Sequence, residues 1–151
     1  MGTARYALFS GTAAGLAALL AVMASAMAEG RGVLEPVSAT SHWLHGDSAG
    51  RTAKADASHT GVGLVTNAAS AMFWALPFAF WASRGGPRSL THLLCGASVL
   101  SALAALLDYG LLPRRLSPGW ELAVSKRAVA GAFAAMAAGL AAGAWAAQRR
   151  H

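Results

Sequence analysis

The side chains best suited to chemistry in this sequence are histidines in one short polar segment. The segment SHWLHGD, residues 41–47, places His42 and His45 three positions apart, which puts both imidazoles on one side of a helix. With His59 or Asp47 as a further ligand, they could hold zinc, copper or iron. The pattern is therefore compatible with a metal or redox site.

The same segment has a structural interpretation, which we favour. Two histidines at this spacing occur readily in a polar loop, so the spacing alone is a weak signal for a metal. A short helix over residues 36–45 would lie at a bilayer surface with Trp43 in the headgroup layer, fold back and dock near the start of the second long helix. Neutral imidazole has one donor and one acceptor, so a histidine there would bond Asn67 or Asp47. This interpretation requires no cofactor.

Residues for other chemistry are sparse. The sequence has no HExxH, CxxC, P-loop or GxSxG motif and no paired intramembrane carboxylates, so no catalytic residue is predicted. Asn67 and Ser70 form a polar stripe on the second predicted helix, and Asp108 ends the third. Ion-coupled carriers usually need an ionisable group at depth, and Asp108 is the one carboxylate near the bilayer. A small transporter or channel is therefore an alternative, not the leading interpretation.

The composition requires a membrane environment. The chain is 56% hydrophobic and 12% charged, whereas a soluble domain has about 25% charged residues. Four runs lack charged residues and approach or exceed the roughly 20 residues that cross about 30 Å of hydrocarbon as a helix. They are residues 6–28, 61–83, 89–107 and 128–148. Backbone groups cannot remain unpaired in lipid, so the runs predict an all-α, polytopic membrane protein with four transmembrane helices.

The expected organisation is a single domain. Its helices span about residues 6–28, 61–83, 89–112 and 119–148. Residues 30–60 form a polar loop that holds the short interfacial helix between the first and second spans. Ser117 as N-cap and Pro118 as the first helical residue would start the fourth helix. An even number of spans puts both termini on the same side of the membrane.

The positive charge indicates lipid, not nucleic acid. The formal net charge is +6, and nearly all of the cationic residues lie near predicted helix ends, where they contact lipid headgroups. The lipid bilayer is the predicted partner, with no nucleic acid and with a homo-oligomer or another membrane protein as a possible second partner. Lysine and arginine are spread too evenly over the two ends to fix the orientation.

Small residues predict where the helices pack. Gly11 and Gly15 form a GxxxG pair in the first helix, a spacing that lets two helices approach closely. In the fourth helix small residues recur every four positions, at Gly131, Ala135, Gly139 and Gly143. The first run also ends like a signal peptide cleaved after Ala28. Its length and its GxxxG pair favour a retained helix.

Three segments within residues 38–147 carry a resemblance: ATSHWLHGD, SHTGVGLVTNAASAMFWA and DYGLLPRRLSPGWE. The pattern resembles small uncharacterised bacterial inner-membrane proteins that have four helices, an SHWLWGD-like loop and a DY…PRLxPGxE link. The resemblance implies a protein of the bacterial inner membrane with no established activity. Our own interpretation of the sequence is a non-enzymatic structural or accessory component. In that group, histidines of the second helix would fall near Thr66 and Asn67, where this chain has none. This departure argues against a membrane-embedded metal or haem site built on His42, His45 and His59.

Overall fold

Four long helices account for most of the protein. The computed structural model describes residues 2–149. Its α-helices are α1 (Thr3–Ala28), α2 (Glu35–Ala39), α3 (His42–His45), α4 (Val62–Ala82), α5 (Leu90–Leu106) and α6 (Lys126–Arg149). A π-helical turn, Ala57–Gly61, leads into α4, and a second one, Leu107–Leu111, extends α5. No strand occurs within the described residues.

The four long helices are suited to cross a membrane. With their π-helical turns they form four spans, each long and apolar enough: Thr3–Ala28, Ala57–Ala82, Leu90–Leu111 and Lys126–Arg149. Large apolar side chains such as Leu20, Val65 and Val99 point outward, with 62%, 70% and 72% of their surface exposed. An outer surface of this kind suits lipid, where apolar side chains need no polar cover. The predicted all-α polytopic fold with four spans is confirmed.

The helices lie side by side in the order α4, α1, α6, α5. α1 contacts α4 on one side and α6 on the other, and α5 packs on α6. The residues of α1 that face these neighbours, among them Ala14, Val22 and Ala26, are fully buried. α4 and α5 hold the two outer positions and contact each other little, although a tight turn joins them. The arrangement leaves a gap between α4 and α5.

Glycines bring α1 close to both neighbours. A Cβ atom built on Gly11 would lie 2.5 Å from the sulfur of Met72, so the GxxxG pair faces α4. A Cβ on Gly139 would lie 2.5 Å from the backbone oxygen of Ala13, and a Cβ on Gly143 would lie even closer to that of Phe9. Gly15 also faces α4, with Ala71 and Asn67 opposite. Gly11, Gly15, Gly139 and Gly143 therefore pack as predicted.

The prediction for Gly131 is wrong. A Cβ on Gly131 would meet nothing within 4 Å, and this residue lies on the exposed side of α6. Four residues advance about 400° around an α-helix, so a four-residue repeat drifts by about 40° at each step. Over three steps the repeat rotates away from α1. Gly139 and Gly143 lie at the interface with α1. Ala135 is half-buried, between the exposed position of Gly131 and that interface.

The two ends of the bundle differ. At one end, which we call the turn end, the Thr3 and Ser83 hydroxyls lie 3.0 Å apart. There the Gln148 side chain donates to the Arg88 carbonyl at 2.7 Å and accepts from its backbone N–H at 3.1 Å. The start of α1, the end of α6 and the α4–α5 turn therefore meet. The opposite end carries two connections: residues 29–61, and residues 112–125, which we call the link.

The last helix begins later than predicted. α6 starts at Lys126 and not near residue 119, because Gly119 adopts a left-handed conformation with φ of 78°. A side chain there would also collide with α2, since its Cβ atom would lie 2.5 Å from the Ala39 carbonyl oxygen. Only glycine can adopt this left-handed conformation and also fit beside the Ala39 carbonyl without a steric cost. The link therefore turns against α2 before the helix starts.

The predicted interfacial helix over residues 36–45 is present but broken. The Thr40 hydroxyl donates to the Pro36 carbonyl at 3.2 Å, and the Ser41 hydroxyl to the Ser38 carbonyl at 2.7 Å. Hydroxyl side chains that bond to the backbone in this way compete with the helical hydrogen-bond ladder. The break between α2 and α3 falls at these two residues.

Candidate functional site: a lateral cleft beneath an interfacial cap

Helix α3 folds back onto the start of α4, as predicted. The Trp43 indole N–H donates to the Thr66 hydroxyl at 3.1 Å, and the Nε2 atom of His45 lies 2.8 Å from the Ser58 carbonyl oxygen. The Trp43 side chain stays partly exposed, as an interfacial tryptophan does. We call α2, α3 and the turn that follows them, residues 35–51, the cap.

The cap is also bonded to the link. The Nε2 atom of His42 lies 2.9 Å from the Ser117 carbonyl oxygen, and His42 is buried. The Nε atom of Arg115 donates to the Trp43 carbonyl at 2.9 Å. Trp43 is thus tied to α4 through its indole and to the link through its carbonyl. The cap bridges the two elements that border the gap at this end of the bundle.

The predicted partners of the histidines are wrong. Asn67 donates to the Gly15 carbonyl at 3.3 Å, which joins α4 to α1. Asp47 pairs with Arg114 at the surface, at 3.6 Å. Both imidazoles bond backbone carbonyls instead, because the fold-back brings main-chain oxygens of the link and of the π-helical turn closer than any polar side chain.

The three histidines of the metal hypothesis are not brought together as one site. The His42 ring is directed at Ser117, whereas the rings of His45 and His59 lie 4.4 Å apart, centre to centre. The Nδ1 atom of His59 lies 3.0 Å from a carboxylate oxygen of Asp56. Within residues 2–149, no group of three His, Cys, Asp or Glu side chains is placed to hold a metal ion.

Asp56 has a structural role at the start of the second span. Its carboxylate accepts from the His59 backbone N–H at 2.5 Å and from the Ser58 hydroxyl at 3.1 Å. This is the geometry of an N-cap, which satisfies a backbone donor that the helix leaves free. The backbone hydrogen bond from His59, above all, holds the pKa of Asp56 below its usual value.

A cleft of about 470 Å³ lies beneath the cap, between α4 and the α5–α6 side of the bundle. Its walls are mostly apolar and belong to α1, α4, α6, the cap, the link and the π-helical turn after α5. They include Ala14, Ala18, Phe73, Trp74, Phe133 and Met136. α4 and α5 contact each other little, so the cleft is half-open towards the gap between them. In a membrane this opening faces the lipid.

Two buried polar groups in the cleft wall have no partner. Asp108, in the π-helical turn after α5, is 9% exposed, and no residue in 2–149 forms a hydrogen bond or ion pair with it. Trp120, in the link, is 5% exposed, and its indole N–H is equally unpaired. The Trp120 ring packs edge-on against Phe133, with centres 5.8 Å apart, which fixes its position. Both residues line the cleft, although the indole N–H of Trp120 is itself covered by neighbouring atoms.

Glu121, the acidic residue of the link, has hydrogen-bond partners, unlike Asp108. Glu121 accepts from the Tyr109 hydroxyl at 3.0 Å and from the Ser117 hydroxyl at 2.9 Å. These bonds hold the link against the end of α5. They also orient Ser117, whose carbonyl oxygen meets His42. Glu121 therefore supports the site, while Asp108 is left unpaired in its wall.

The cleft gathers some predicted residues and some that the sequence did not reveal. Asp108, Ser70, Asn67 and Trp43 all line it. Arg115 and Trp120 line it as well and were not predicted. Their one signal is their position: both lie in the segment PRRLSPGWE, where a cationic and an aromatic residue directly follow a transmembrane span.

The comparisons with protein families, curated proteins and solved structures found no match for this chain.

Proposed function

We propose that the protein is a non-enzymatic accessory component of the bacterial inner membrane that binds an amphipathic molecule in the lateral cleft. One observation carries the proposal: Asp108 lines the apolar cleft, is only 9% exposed, and has no hydrogen-bond or ion-pair partner within residues 2–149. The inner-membrane location rests on the four spans and on the sequence resemblance.

The energetic cost of leaving Asp108 without a partner supports a bound ligand. A buried donor or acceptor without a partner costs about 1–3 kcal/mol, and a buried charge costs more. Ionisable residues within membrane-spanning segments usually mark a binding site or a pathway for this reason. A ligand that donates a hydrogen bond to Asp108 would remove this cost. The cleft volume, about 470 Å³, lies in the usual range for small-molecule sites.

The arrangement favours binding over catalysis. General acid–base or nucleophilic chemistry needs two groups within hydrogen-bonding distance of each other, or of one reacting atom. Asp108 has no such partner within residues 2–149. The nearest acidic residue in the link, Glu121, is already occupied by two hydroxyl groups. The half-open apolar wall suits a molecule that enters from the bilayer and leaves unchanged.

Native mass spectrometry of the protein, extracted in a mild detergent, tests the proposal. We expect an amphiphile bound at one copy per chain, and loss of that species when Ser70→Phe fills the cleft. Val65→Phe is the control, because Val65 lies on the same helix with 70% of its surface exposed and is not part of the cleft wall. If no amphiphile binds, either from the cell or from an added lipid extract, the proposed function is wrong.

A further inference from the structure

We infer that the ligand is an aminophospholipid, a zwitterionic lipid whose headgroup carries a primary ammonium next to a phosphate. The inference rests on the proposed function, since it names the chemical class that the same cleft would bind. Its basis is the charge at the polar end of the cleft. This end contains one carboxylate, Asp108, and one guanidinium, Arg115.

The ammonium group matches Asp108. Asp108 as a residue is 9% exposed, and its carboxylate accepts no hydrogen bond from residues 2–149. A charged acceptor in such a position is stabilised by a cation that also donates N–H bonds. A primary ammonium has three N–H donors in a compact group. A quaternary ammonium is larger and has none, so it can neutralise the charge without satisfying the oxygens.

The phosphate matches Arg115. The Nε atom of this arginine is fixed by the Trp43 carbonyl at 2.9 Å, and the side chain is otherwise exposed at the mouth of the cleft. Its terminal nitrogens have no partner among the described residues. A guanidinium held by one nitrogen presents the remaining N–H groups in a planar fork, which is the geometry that phosphate oxygens accept.

The other charges near the cleft are already paired. Arg114 lies 3.6 Å from Asp47 at the surface, and Glu121 is bonded by Tyr109 and Ser117. The polar end of the cleft therefore has one unpaired charge of each sign. An anionic lipid would satisfy Arg115 but bring no cation to Asp108. A zwitterion with a primary ammonium satisfies both.

The shape of the cleft suits a headgroup with its tails outside. The cleft encloses about 470 Å³, the volume of a small molecule, not of a whole two-chain lipid. Phe73 and Leu112 line it, yet 63% and 41% of their surfaces are exposed. The apolar wall thus continues onto the lipid-facing surface. Acyl chains can follow this wall into the bilayer while the headgroup remains beneath the cap.

The test uses three phospholipids with identical acyl chains and different headgroups: ethanolamine, choline and glycerol. Each is titrated onto delipidated wild-type protein in detergent, and binding is read by native mass spectrometry. We expect the ethanolamine lipid to bind about tenfold more tightly than the choline lipid, the difference that one charge-assisted hydrogen bond typically makes. Stepwise N-methylation of the ethanolamine should lower the affinity at each step.

Two variants separate the charges. Asp108→Asn should bring the ethanolamine and choline lipids to similar affinity, whereas Arg115→Gln should weaken all three lipids together. Asp47→Asn is the control for a removed carboxylate and should change neither affinity. The methylation series needs no variant, so it remains decisive if Asp108→Asn does not fold. Equal binding of all three lipids, or preference for the glycerol lipid, would overturn the inference and leave the proposed function intact. No binding at all would overturn the proposed function itself.

Discussion

Replacing Gly139 by leucine should separate α6 from α1, and the structure sets the size of the effect. A Cβ atom on Gly139 would lie 2.5 Å from the Ala13 carbonyl oxygen and 2.6 Å from the Ala14 Cα, both backbone atoms of α1. Ordinary van der Waals contact begins at 3.4 Å, and 3.4 − 2.5 leaves a deficit of 0.9 Å. Backbone cannot rotate away as a side chain can. The two helices must therefore move apart by about this distance.

A separation of this size is costly along the whole interface. A gap of about 0.5–1 Å forfeits a quarter to a half of each dispersion contact, and residues on both sides, such as Ala14 and Leu140, are fully buried. Overpacking a well-filled interior typically costs about 1–3 kcal/mol. Leucine extends beyond Cβ, so we expect about 3 kcal/mol. For a chain of this length, this corresponds to a drop on the order of 10 °C in the unfolding midpoint.

Gly131→Leu on the same helix is the control. A Cβ at Gly131 would meet nothing within 4 Å, and both substitutions gain the same helix propensity, about 1 kcal/mol. Thermal unfolding in detergent, followed by tryptophan fluorescence, should show Gly131→Leu at or slightly above the wild-type midpoint. Gly139→Ala should fall between wild type and Gly139→Leu. Equal midpoints for the two leucine variants would refute the idea that close backbone approach holds α6 to α1.

Two further predictions follow from the ends of the bundle. Reporter fusions after Arg31, Gly86 and Pro118 and at the C-terminus should alternate in location, with the C-terminus on the side of Gly86; any other pattern contradicts the four-span topology. The hydrogen bond from the His59 N–H lowers the pKa of Asp56. The Asp56 carboxylate therefore stabilises the fold fully above the ordinary carboxyl pKa, and this stabilisation is lost as the pH falls through the lowered pKa. Amide hydrogen exchange over residues 57–61, corrected for intrinsic rates, should increase over that range, and Asp56→Asn should remove the dependence; an unchanged profile in the variant would contradict the role of this carboxylate.

The spans could be predicted because a membrane-spanning helix requires a long uncharged run, which is visible directly in the sequence. An uncharged run of sufficient length has few alternatives in lipid, so the predicted and observed ends of the first three helices agree within a few residues. The start of α6 could not be predicted in this way. Its position depends on Gly119, which is left-handed and leaves no room for a side chain beside Ala39 and His42, residues 80 and 77 positions earlier in the chain.

The site was predicted only in part, for a similar reason. Asp108 is recognisable because a carboxylate beside a transmembrane run is rare, and Trp43 because indole favours the membrane interface. The partners of the histidines are backbone carbonyls of Ser58 and Ser117. Every residue has a carbonyl, so no residue type marks them. Trp120 becomes significant only once its N–H is seen to be buried without a partner.

The central position of α1 has a consequence for how the protein is made. Of the four spans, α1 is synthesised first and is the one that α4 and α6 both contact, while α5, synthesised between α4 and α6, lies at the far edge. During synthesis α1 must therefore remain in the bilayer with one side unoccupied until the last segment arrives beside it. A peptidase that cut after Ala28 and released α1 would leave the glycines of α6 and the small residues of α4 without the surface they fit. Assembly of the four spans thus depends on α1 remaining in the bilayer until α6 has been inserted.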